Sequence, residues 1–314
     1  MTPTALLFPG QASQYVGMGR DLHDAFPRAK ALYAQANDIL GFDIARLSFE
    51  GPEESLVQTV NTQPAIFVHS CVAFELARER GQLFDVTAGH SLGEYPALVA
   101  SGVLTFADGL RAVRERARFM QEACEQNPGT MAAVLGLDYG TVVKVCERAS
   151  GDGVVVAANY NAAAQIAISG DRAGVAAASK LASEAGAKRV IPLAVGGAFH
   201  SPLMHPAPEN LKPVLDAIEF KDAHTPVILN VTARPEASGQ RIRQNLIAQL
   251  TSPVLWFPTM QRMAEMEVSA AVELGPKKVL NGLAKNVLSG AKLFSLDTVA
   301  DFQALFANAP VTPD

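Results

Sequence analysis

A serine between two glycines is the feature of this sequence best suited to covalent chemistry. The segment Gly89-His90-Ser91-Leu92-Gly93 follows an apolar run and precedes a segment with helical patterning. A strand, a G-x-S-x-G turn and a helix in this order are typical of a nucleophile elbow, which projects the serine hydroxyl from the edge of a sheet. The same glycines also suit an ordinary tight turn, so the five residues alone leave both interpretations open.

A nucleophilic serine requires hydrogen-bond donors where negative charge develops in the transition state. We expect one donor to be the main-chain N–H of Leu92, at the start of the helix that follows Ser91. We expect the segment FPGQASQ, near the start of the chain, to supply a second N–H from Gln11.

The serine also requires a base, because a hydroxyl group is weakly nucleophilic at neutral pH. Of the six histidines, His90 adjoins the serine, but neighbouring side chains diverge on so tight a turn. His23 and His69 fall in segments with helical patterning, where a histidine is commonly packed or solvated. His200 follows a Gly-Gly interruption in AVGGAFHSPLM, where a loop can return to the active edge of the sheet, and is the preferred candidate.

An acidic third member of a catalytic triad is not evident between Ser91 and His200, and no H-G-G-G motif precedes the serine. Ordinary hydrolases with a nucleophile elbow have both features. The pattern therefore differs from that of an ordinary hydrolase even if Ser91 is a nucleophile.

Strand and helix patterns alternate along the chain, as they do in α/β proteins. Residues 5–8 predict a buried strand, and helical patterning covers residues 21–40 and 63–80, the second with a proline near its first turn. A long amphipathic helix is predicted over residues 106–126, and a further helix over residues 242–250.

A different order of elements begins after the long amphipathic helix. Residues 129–197 predict the succession β-α-β-β-α-β, which is the ferredoxin-like arrangement. We therefore predict an inserted ferredoxin-like subdomain at residues 129–197. The larger subdomain, residues 1–128 and 198–314, is predicted to be α/β-hydrolase-like with a parallel sheet.

The composition excludes several classes of function. The chain of 314 residues is 49% hydrophobic with a formal net charge of −5, which argues against general nucleic-acid binding. No uncharged apolar run reaches the ~20 residues that span a bilayer, and the N-terminus lacks the features of a secretory leader. The three cysteines are widely spaced, so we expect buried thiols, a reducing cytoplasmic compartment and no metal or nucleotide site.

A series of segments, in order along the chain, resembles one protein family. They are FPGQASQYVGMG, NTQPA, GHSLGEYPALVASG, RARFMQEA, NYNAAAQIAISG, GAFHSPLM, NVTARP, SPVLW and ELGPKKVLNGL. Together they cover nearly the whole chain and resemble the malonyl-CoA:acyl carrier protein transacylases, a family that includes the acyltransferase domains of polyketide synthases. Each motif alone is weak, whereas the ordered set is highly specific.

The resemblance implies ping-pong transfer of a malonyl group, by way of Ser91, from malonyl-CoA to the phosphopantetheine thiol of an acyl carrier protein. It implies that His200 is the general base and acid, oriented by the backbone carbonyl of Gln249 instead of by a carboxylate. The main-chain N–H groups of Gln11 and Leu92 match the oxyanion hole of the family. We expect a monomer that uses no cofactor and no metal.

The resemblance also implies a receptor for the free carboxylate of malonate. Arg116 matches the family arginine, and a planar guanidinium can pair with both oxygens of a carboxylate. Arg111, Arg114 and Arg118 lie on the same predicted helix, and spacing alone does not select Arg116 among them. Gln63, in the segment TQPA, is a further candidate for this pocket.

Two further features resemble malonyl-selective members of the family. A leucine follows Ser91, and Phe199 precedes His200 where methylmalonyl-selective members tend towards ASH. We expect Phe199 to crowd a branched α-methyl group. Because such a pocket difference is worth only ~1–3 kcal/mol, the preference for malonyl should be leaky.

The chain departs from the family pattern at two positions. Ala12 stands where the family has glycine in GQGSQ, which adds a methyl group beside the predicted oxyanion loop. Lys277 stands where glycine is commoner in GPGKVL. Lys277, Lys278 and Lys285 form a candidate docking patch for an acidic carrier protein, and ordinary surface lysines are an equally good interpretation.

Two other functions share much of this pattern. A hydrolase acting on acyl groups has the same elbow, but it has less use for a carboxylate receptor such as Arg116. Transfer also requires that water be kept away from the acyl-serine. A non-catalytic docking subunit would retain the fold without acylation of Ser91.

Overall fold

Two sheets form the framework of the computed structural model, which describes residues 3–307. The strands in this range are β1 (Thr4–Phe8), β2 (Val86–Gly89), β3 (Thr130–Leu135), β4 (Val155–Ala162), β5 (Gln165–Gly170), β6 (Arg189–Pro192), β7 (Val227–Ile228), β8 (Pro235–Glu236), β9 (Ala270–Leu274) and β10 (Lys292–Leu296). The larger sheet has the order β10-β9-β1-β2-β7-β8 and is parallel except at β8. This arrangement confirms the predicted α/β class with a parallel sheet.

Helices connect most of these strands. They are α1 (Arg20–Ala25), α2 (Pro27–Leu40), α3 (Ile44–Glu50), α4 (Glu53–Leu56), α5 (Thr59–Glu79), α6 (Glu94–Ala100), α7 (Phe106–Gln126), α8 (Tyr139–Ala149), α9 (Arg172–Glu184), α10 (Pro206–Asp216), α11 (Gly239–Gln249), α12 (Trp256–Glu265), α13 (Val279–Ala284) and α14 (Val299–Phe306). Within residues 3–307, none of the helices has both the length and the apolar character that crossing a membrane requires.

The central strand β1 is an uninterrupted apolar run because both of its faces are covered. Leu6 and Phe8 pack into one hydrophobic cluster, while Ala5 and Leu7 pack into another. Such runs are typical of parallel strands buried on both sides. Phe8 pairs in register with Gly89, the last residue of β2, so the loops that follow β1 and β2 begin at the same edge of the sheet. Ligands commonly bind at this edge in α/β proteins.

The second sheet is antiparallel and has the order β4-β5-β3-β6. Its elements follow the predicted succession β-α-β-β-α-β, with α8 and α9 packed against a hydrophobic cluster of their own. The subdomain boundaries at residues 129 and 197 stay a prediction. Strand β4 reaches the larger part of the molecule, because the Tyr160 N–H donates to the Val254 carbonyl over 2.9 Å.

Two of the predicted helices have different bounds in the structure. The helical patterning over residues 21–40 corresponds to two helices, because Phe26 is extended between α1 and α2, with φ −123° and ψ 120°. Pro27 explains the break, since a proline ring disfavours the helical conformation of the residue before it. Helix α5 begins at Thr59, so Pro64 lies inside the helix and not near its first turn.

Candidate active site

Ser91 lies on a sharp turn between β2 and α6. β2 ends at Gly89, and the chain makes one 3₁₀ turn over Ser91–Gly93. Ser91 has a φ of 51°, in the left-handed region that strains a residue with a side chain. A Cβ on Gly89 would overlap the carbonyl of Gly93, and a Cβ on Gly93 would overlap the carbonyl of Phe8. The two glycines therefore allow the turn to pack directly against β1 and β2.

The imidazole of His200 lies beside this serine. His200 Nε2 is 2.8 Å from Ser91 Oγ, and His200 Nδ1 is 2.9 Å from the carbonyl oxygen of Gln249. If Nδ1–H donates to that carbonyl, Nε2 is free to accept the serine proton. Burial, and then the positive charge of Arg116, lower the pKa of His200 to about 3. The imidazole is therefore neutral at physiological pH.

Arg116 is buried on α7, and its guanidinium reaches the serine. Its Nη2 donates to Ser91 Oγ over 3.0 Å and to Gln249 Oε1 over 2.9 Å, and its Nη1 donates to Gln63 Oε1 over 2.6 Å. Burial lowers the pKa of Arg116, but a guanidinium stays protonated at neutral pH. A fixed positive charge therefore lies within reach of any acyl group on Ser91.

The other three arginines of α7 have different surroundings. Arg111 is paired with Asp108, and Arg118 with Glu115 and Glu122, in exposed ion pairs. Arg114 donates to a carbonyl oxygen on the surface. Arg116 differs from these neighbours in being buried. Burial depends on the tertiary structure, so the sequence pattern alone did not select Arg116.

A cavity of about 240 Å³ surrounds the serine hydroxyl. The predicted site residues that line it are Gln11, Gln63, Ser91, Leu92, Arg116, Phe199 and His200. Gln11 is brought there because the loop after β1 packs on the serine turn, where a Cβ on Gly10 would lie 2.5 Å from the carbonyl oxygen of His90. Asn159, Asn161 and Gln165 of the antiparallel sheet line the same cavity, so both sheets contribute to its wall.

The remaining predicted site residue, Gln249, joins several of these groups. Its backbone carbonyl contacts His200, and its side-chain Nε2 donates to the Ser91 carbonyl over 3.0 Å. It lies at the end of α11, the helix that was predicted over residues 242–250. The family resemblance implied a role only for its backbone carbonyl, whereas in the structure its side chain is also hydrogen-bonded.

Two functional side chains were missed in the sequence analysis. Asn230 Oδ1 accepts from the Ser91 N–H over 2.7 Å, and its Nδ2 donates to the Gly89 carbonyl over 2.6 Å. Glu94 is 1% exposed and accepts from the Asn230 N–H and from Gln249 Nε2. Both lie in motifs that carried the family resemblance, but an acidic residue at a helix start is ordinarily explained by the helix dipole.

The histidines that were set aside in the sequence analysis have other partners. His90 Nε2 lies 2.8 Å from Asn161 Oδ1, and His69 Nε2 lies 2.9 Å from Asp297 Oδ1. His23 Nδ1 contacts the neighbouring Asp24. The structure therefore brings His200, and none of these three, to the serine hydroxyl.

Comparisons with known proteins agree with this arrangement. Residues 5–299 match the family described as Acyl transferase domain. The malonyl CoA-acyl carrier protein transacylase of Bacillus subtilis (strain 168) is 47% identical over 288 residues, which cover 91% of each chain. An acyl carrier protein S-malonyltransferase from Vibrio cholerae O1 superposes with a TM-score of 0.93 at 38% identity, covering 97% of this chain and 100% of that one.

A further solved structure contains a partner. It is described as a type II PKS acyl-carrier protein in complex with its malonyl-transacylase, and it superposes with a TM-score of 0.94 at 38% identity, covering 98% of this chain and 100% of that one. These matches extend over nearly the whole chain and agree with the motifs quoted above. The chain therefore belongs to the acyl transferase family, among its malonyl-CoA:acyl carrier protein transacylases.

Proposed function

We propose that this chain transfers a malonyl group from malonyl-CoA to the phosphopantetheine thiol of an acyl carrier protein through an acyl-Ser91 intermediate. One observation carries the proposal: Ser91 Oγ lies 2.8 Å from a neutral imidazole and 3.0 Å from a buried guanidinium. The imidazole suits nucleophilic attack by the serine, and the guanidinium suits an acyl chain that ends in a carboxylate.

The first half-reaction forms the malonyl ester. His200 Nε2 takes the hydroxyl proton as Ser91 Oγ attacks the thioester carbon, and the N–H groups of Gln11 and Leu92 stabilise the oxyanion. Collapse of the tetrahedral intermediate breaks the C–S bond, and the imidazolium returns its proton to the departing CoA sulfur. Because the Gln249 carbonyl accepts from Nδ1, it favours the tautomer with Nε2 free and stabilises the imidazolium.

The second half-reaction follows the same path in reverse. The phosphopantetheine thiol gives its proton to His200 Nε2 and attacks the ester carbon. The C–O bond to Ser91 then breaks, and Ser91 Oγ regains a proton from the imidazolium. The products are a malonyl thioester on the carrier and the free enzyme, so atoms and charge balance over the two steps.

The acyl pocket explains a preference for malonyl. Arg116 donates to the neutral oxygens of Gln63, Gln249 and Ser91. A substrate carboxylate in place of neutral oxygens makes stronger, charge-assisted hydrogen bonds. Phe199 is buried in the wall of the same cavity, where it would crowd a methyl group on the α-carbon.

Carrier docking is proposed for the lysines near the cavity entrance. Lys277, Lys278 and Lys285 are exposed, and the first two directly precede Val279 in the sequence Lys277-Lys278-Val279. Val279 is 43% exposed and also lines the cavity. Lys278 Nζ lies 3.7 Å from Asp301 Oδ1, so this cation is partly engaged. Positive charge at the entrance would attract an acidic carrier and increase its rate of association.

We also propose a monomer in the cytoplasm. Ser91, His200 and Arg116 meet in one cavity within the chain, and a site with its nucleophile, base and cation in a single chain is compatible with a monomer. All three cysteines are buried and unpaired, which is typical of proteins from reducing compartments.

Incubation with malonyl-CoA followed by intact-mass measurement tests the proposed function. We expect a stable malonyl adduct on the wild-type protein, its loss when a phosphopantetheinylated carrier is added, and no adduct on Ser91→Ala. Rapid release of free malonate without carrier would indicate a hydrolase, and an unmodified wild-type protein would indicate a docking subunit. An adduct that persists on Ser91→Ala would refute the assignment of the nucleophile.

A further inference from the structure

The site contains a buried carboxylate that takes no part in the proposed steps. Glu94 is the first residue of α6, three positions after Ser91, and it is 1% exposed. Its Oε2 accepts from the Asn230 N–H over 3.0 Å and from Gln249 Nε2 over 3.1 Å. A carboxylate removed from water is costly unless hydrogen bonds and a nearby positive charge compensate it. The nearby positive charge is Arg116.

The side-chain amide of Gln249 lies between these two charges. Its Oε1 accepts from Arg116 Nη2 over 2.9 Å, and its Nε2 donates to Glu94 Oε2 over 3.1 Å. An amide has an acceptor at one end and donors at the other, so a cation on one side and an anion on the other fix a single orientation. Nε2 also donates to the Ser91 carbonyl over 3.0 Å, so without the anion the amide keeps only this one neutral acceptor and its oxygen is held less firmly towards the guanidinium.

We propose that Glu94 is a positioning residue for malonyl recognition, acting through the Gln249 amide to hold the Arg116 guanidinium where the substrate carboxylate binds. This inference rests on the proposed function and deepens it. A direct Glu94–Arg116 ion pair would occupy the donors that malonate needs. The neutral Gln249 amide instead keeps the Arg116 guanidinium in place. The guanidinium N–H groups can then leave the glutamine oxygens and donate to a substrate carboxylate.

The same carboxylate also supports the serine turn. It accepts from the main chain of Asn230, whose side chain accepts from the Ser91 N–H over 2.7 Å. One buried carboxylate therefore helps to position both the guanidinium that receives the substrate carboxylate and the main chain of the nucleophile. We expect the larger effect of Glu94 on binding, because the chain of contacts from Glu94 to Arg116 involves a single side chain.

Single-turnover acylation of Ser91 by malonyl-CoA tests this role, because it separates the half-saturating concentration from the limiting rate. For Glu94→Gln, we expect the half-saturating concentration to rise roughly tenfold while the limiting rate changes by less than about threefold, the loss typical of a weakened charged hydrogen bond. The preference for malonyl-CoA over acetyl-CoA should fall by a similar factor. A purely structural role would lower thermal stability without moving that preference.

Two further variants make the test specific. Glu273→Gln removes another buried carboxyl, which accepts from the N–H groups of Leu280 and Asn281. It accepts nothing from Gln249 or Arg116, so the variant should lower stability with unchanged acyl preference. Gln249→Met keeps the backbone carbonyl that contacts His200 but removes the amide. It should reproduce the Glu94→Gln signature, and the double variant should lose little more than either single variant.

Each outcome separates the inference from the proposed function. A wild-type protein that malonyl-CoA does not acylate contradicts the proposed function itself. If the wild type is acylated and Glu94→Gln keeps both its half-saturating concentration and its malonyl preference, Glu94 has no positioning role. If Glu94→Gln does not fold, Gln249→Met decides: an unchanged malonyl preference in that variant overturns the inference.

Discussion

The floor and the rim of the cavity both contain residues with a left-handed backbone, but these residues are held in different ways. We define the floor as Ser91, Arg116 and His200. We define the rim as Ala12, which lines the cavity, and Lys277, which lies two residues before the lining residue Val279. At the floor, Ser91 has φ 51° and His200 has φ 58°. At the rim, Ala12 has φ 81° and Lys277 has φ 66°, and both residues are exposed. The rim positions are the two at which the chain departs from the glycines of the family pattern.

The floor and the rim differ in which groups of these residues are held by hydrogen bonds. Ser91 and His200 contact each other, and the Ser91 main chain is held by the Asn230 and Gln249 side chains. At the rim, the hydrogen bonds within residues 3–307 engage the main-chain N–H groups, that of Ala12 by Gln14 and that of Lys277 by Asp297. Backbone strain at the floor is thus tied to the positions of reacting groups, whereas glycine can supply the same backbone shape at the rim.

The largest effect should come from removing the floor cation. Arg116→Ala should lower the efficiency of Ser91 acylation by malonyl-CoA by about 10²-fold or more, because a buried charge-assisted hydrogen bond to the substrate is lost. Acylation by acetyl-CoA should fall much less, so the variant should swing towards neutral acyl donors. Competition between the two thioesters, followed by intact mass, measures this change.

Arg118→Ala is the matched control, because it removes an exposed arginine from the same helix that is paired only with Glu115 and Glu122. Exposed pairs of this kind contribute little, so its acyl preference should equal that of the wild type. An Arg116→Ala protein with unchanged preference for malonyl would show that the floor cation does not read the substrate carboxylate.

Much of the fold followed from local patterns in the sequence. The amphipathic helix over residues 106–126 and the β-α-β-β-α-β order of the small subdomain both match the structure. Strand β10 and the short strand β8 were harder to foresee, because their pairing depends on neighbours far along the chain. The break at Phe26 was predictable in principle from Pro27, since the rule for residues before proline is local.

Without the family resemblance, the site was predictable only where the type and position of a residue indicated one chemical use. Ser91 and His200 are such residues, and the structure brings them together from positions 109 residues apart. Glu94 and Asn230 were not selected, because a glutamate at a helix start and an asparagine after a strand are common for structural reasons. Their contacts with the serine turn arise from tertiary packing, which no spacing rule encodes.

A smaller effect is expected from the titration of Glu94, the buried carboxyl that contacts Gln249. Burial raises the pKa of Glu94 to about 7, with Arg116 and Tyr95 as the titratable groups that interact with it. Glu94 is therefore ionised above this pH and protonated below it, which removes the same charge as Glu94→Gln. Acylation efficiency with malonyl-CoA should fall about tenfold from pH ~8 to pH ~5.5 and then level off.

Whether acylation efficiency levels off at low pH distinguishes titration of Glu94 from titration of His200. Because the pKa of His200 is about 3, its imidazole stays neutral throughout this range and causes no second decrease. An imidazole with the ordinary pKa of about 6.5 would instead lower the rate tenfold for each further pH unit. A pH profile of single-turnover acylation decides between these outcomes, and Glu94→Gln should give a flat profile over the same range.

The smallest effect should come from the rim. Ala12→Gly should stabilise the protein by about 0.5–1 kcal/mol, because relief of the left-handed strain on alanine exceeds the entropy that glycine loses on folding. The Ala12 N–H that donates to Gln14 is retained. Ala176→Gly is the matched control, since Ala176 is exposed within helix α9, where the same change should destabilise by a similar amount. Urea unfolding of both variants measures the free energies. If Ala12→Gly and Ala176→Gly lower the free energy of unfolding equally, the backbone at the rim is no more strained than that of a helix. The floor and the rim would then differ only in burial.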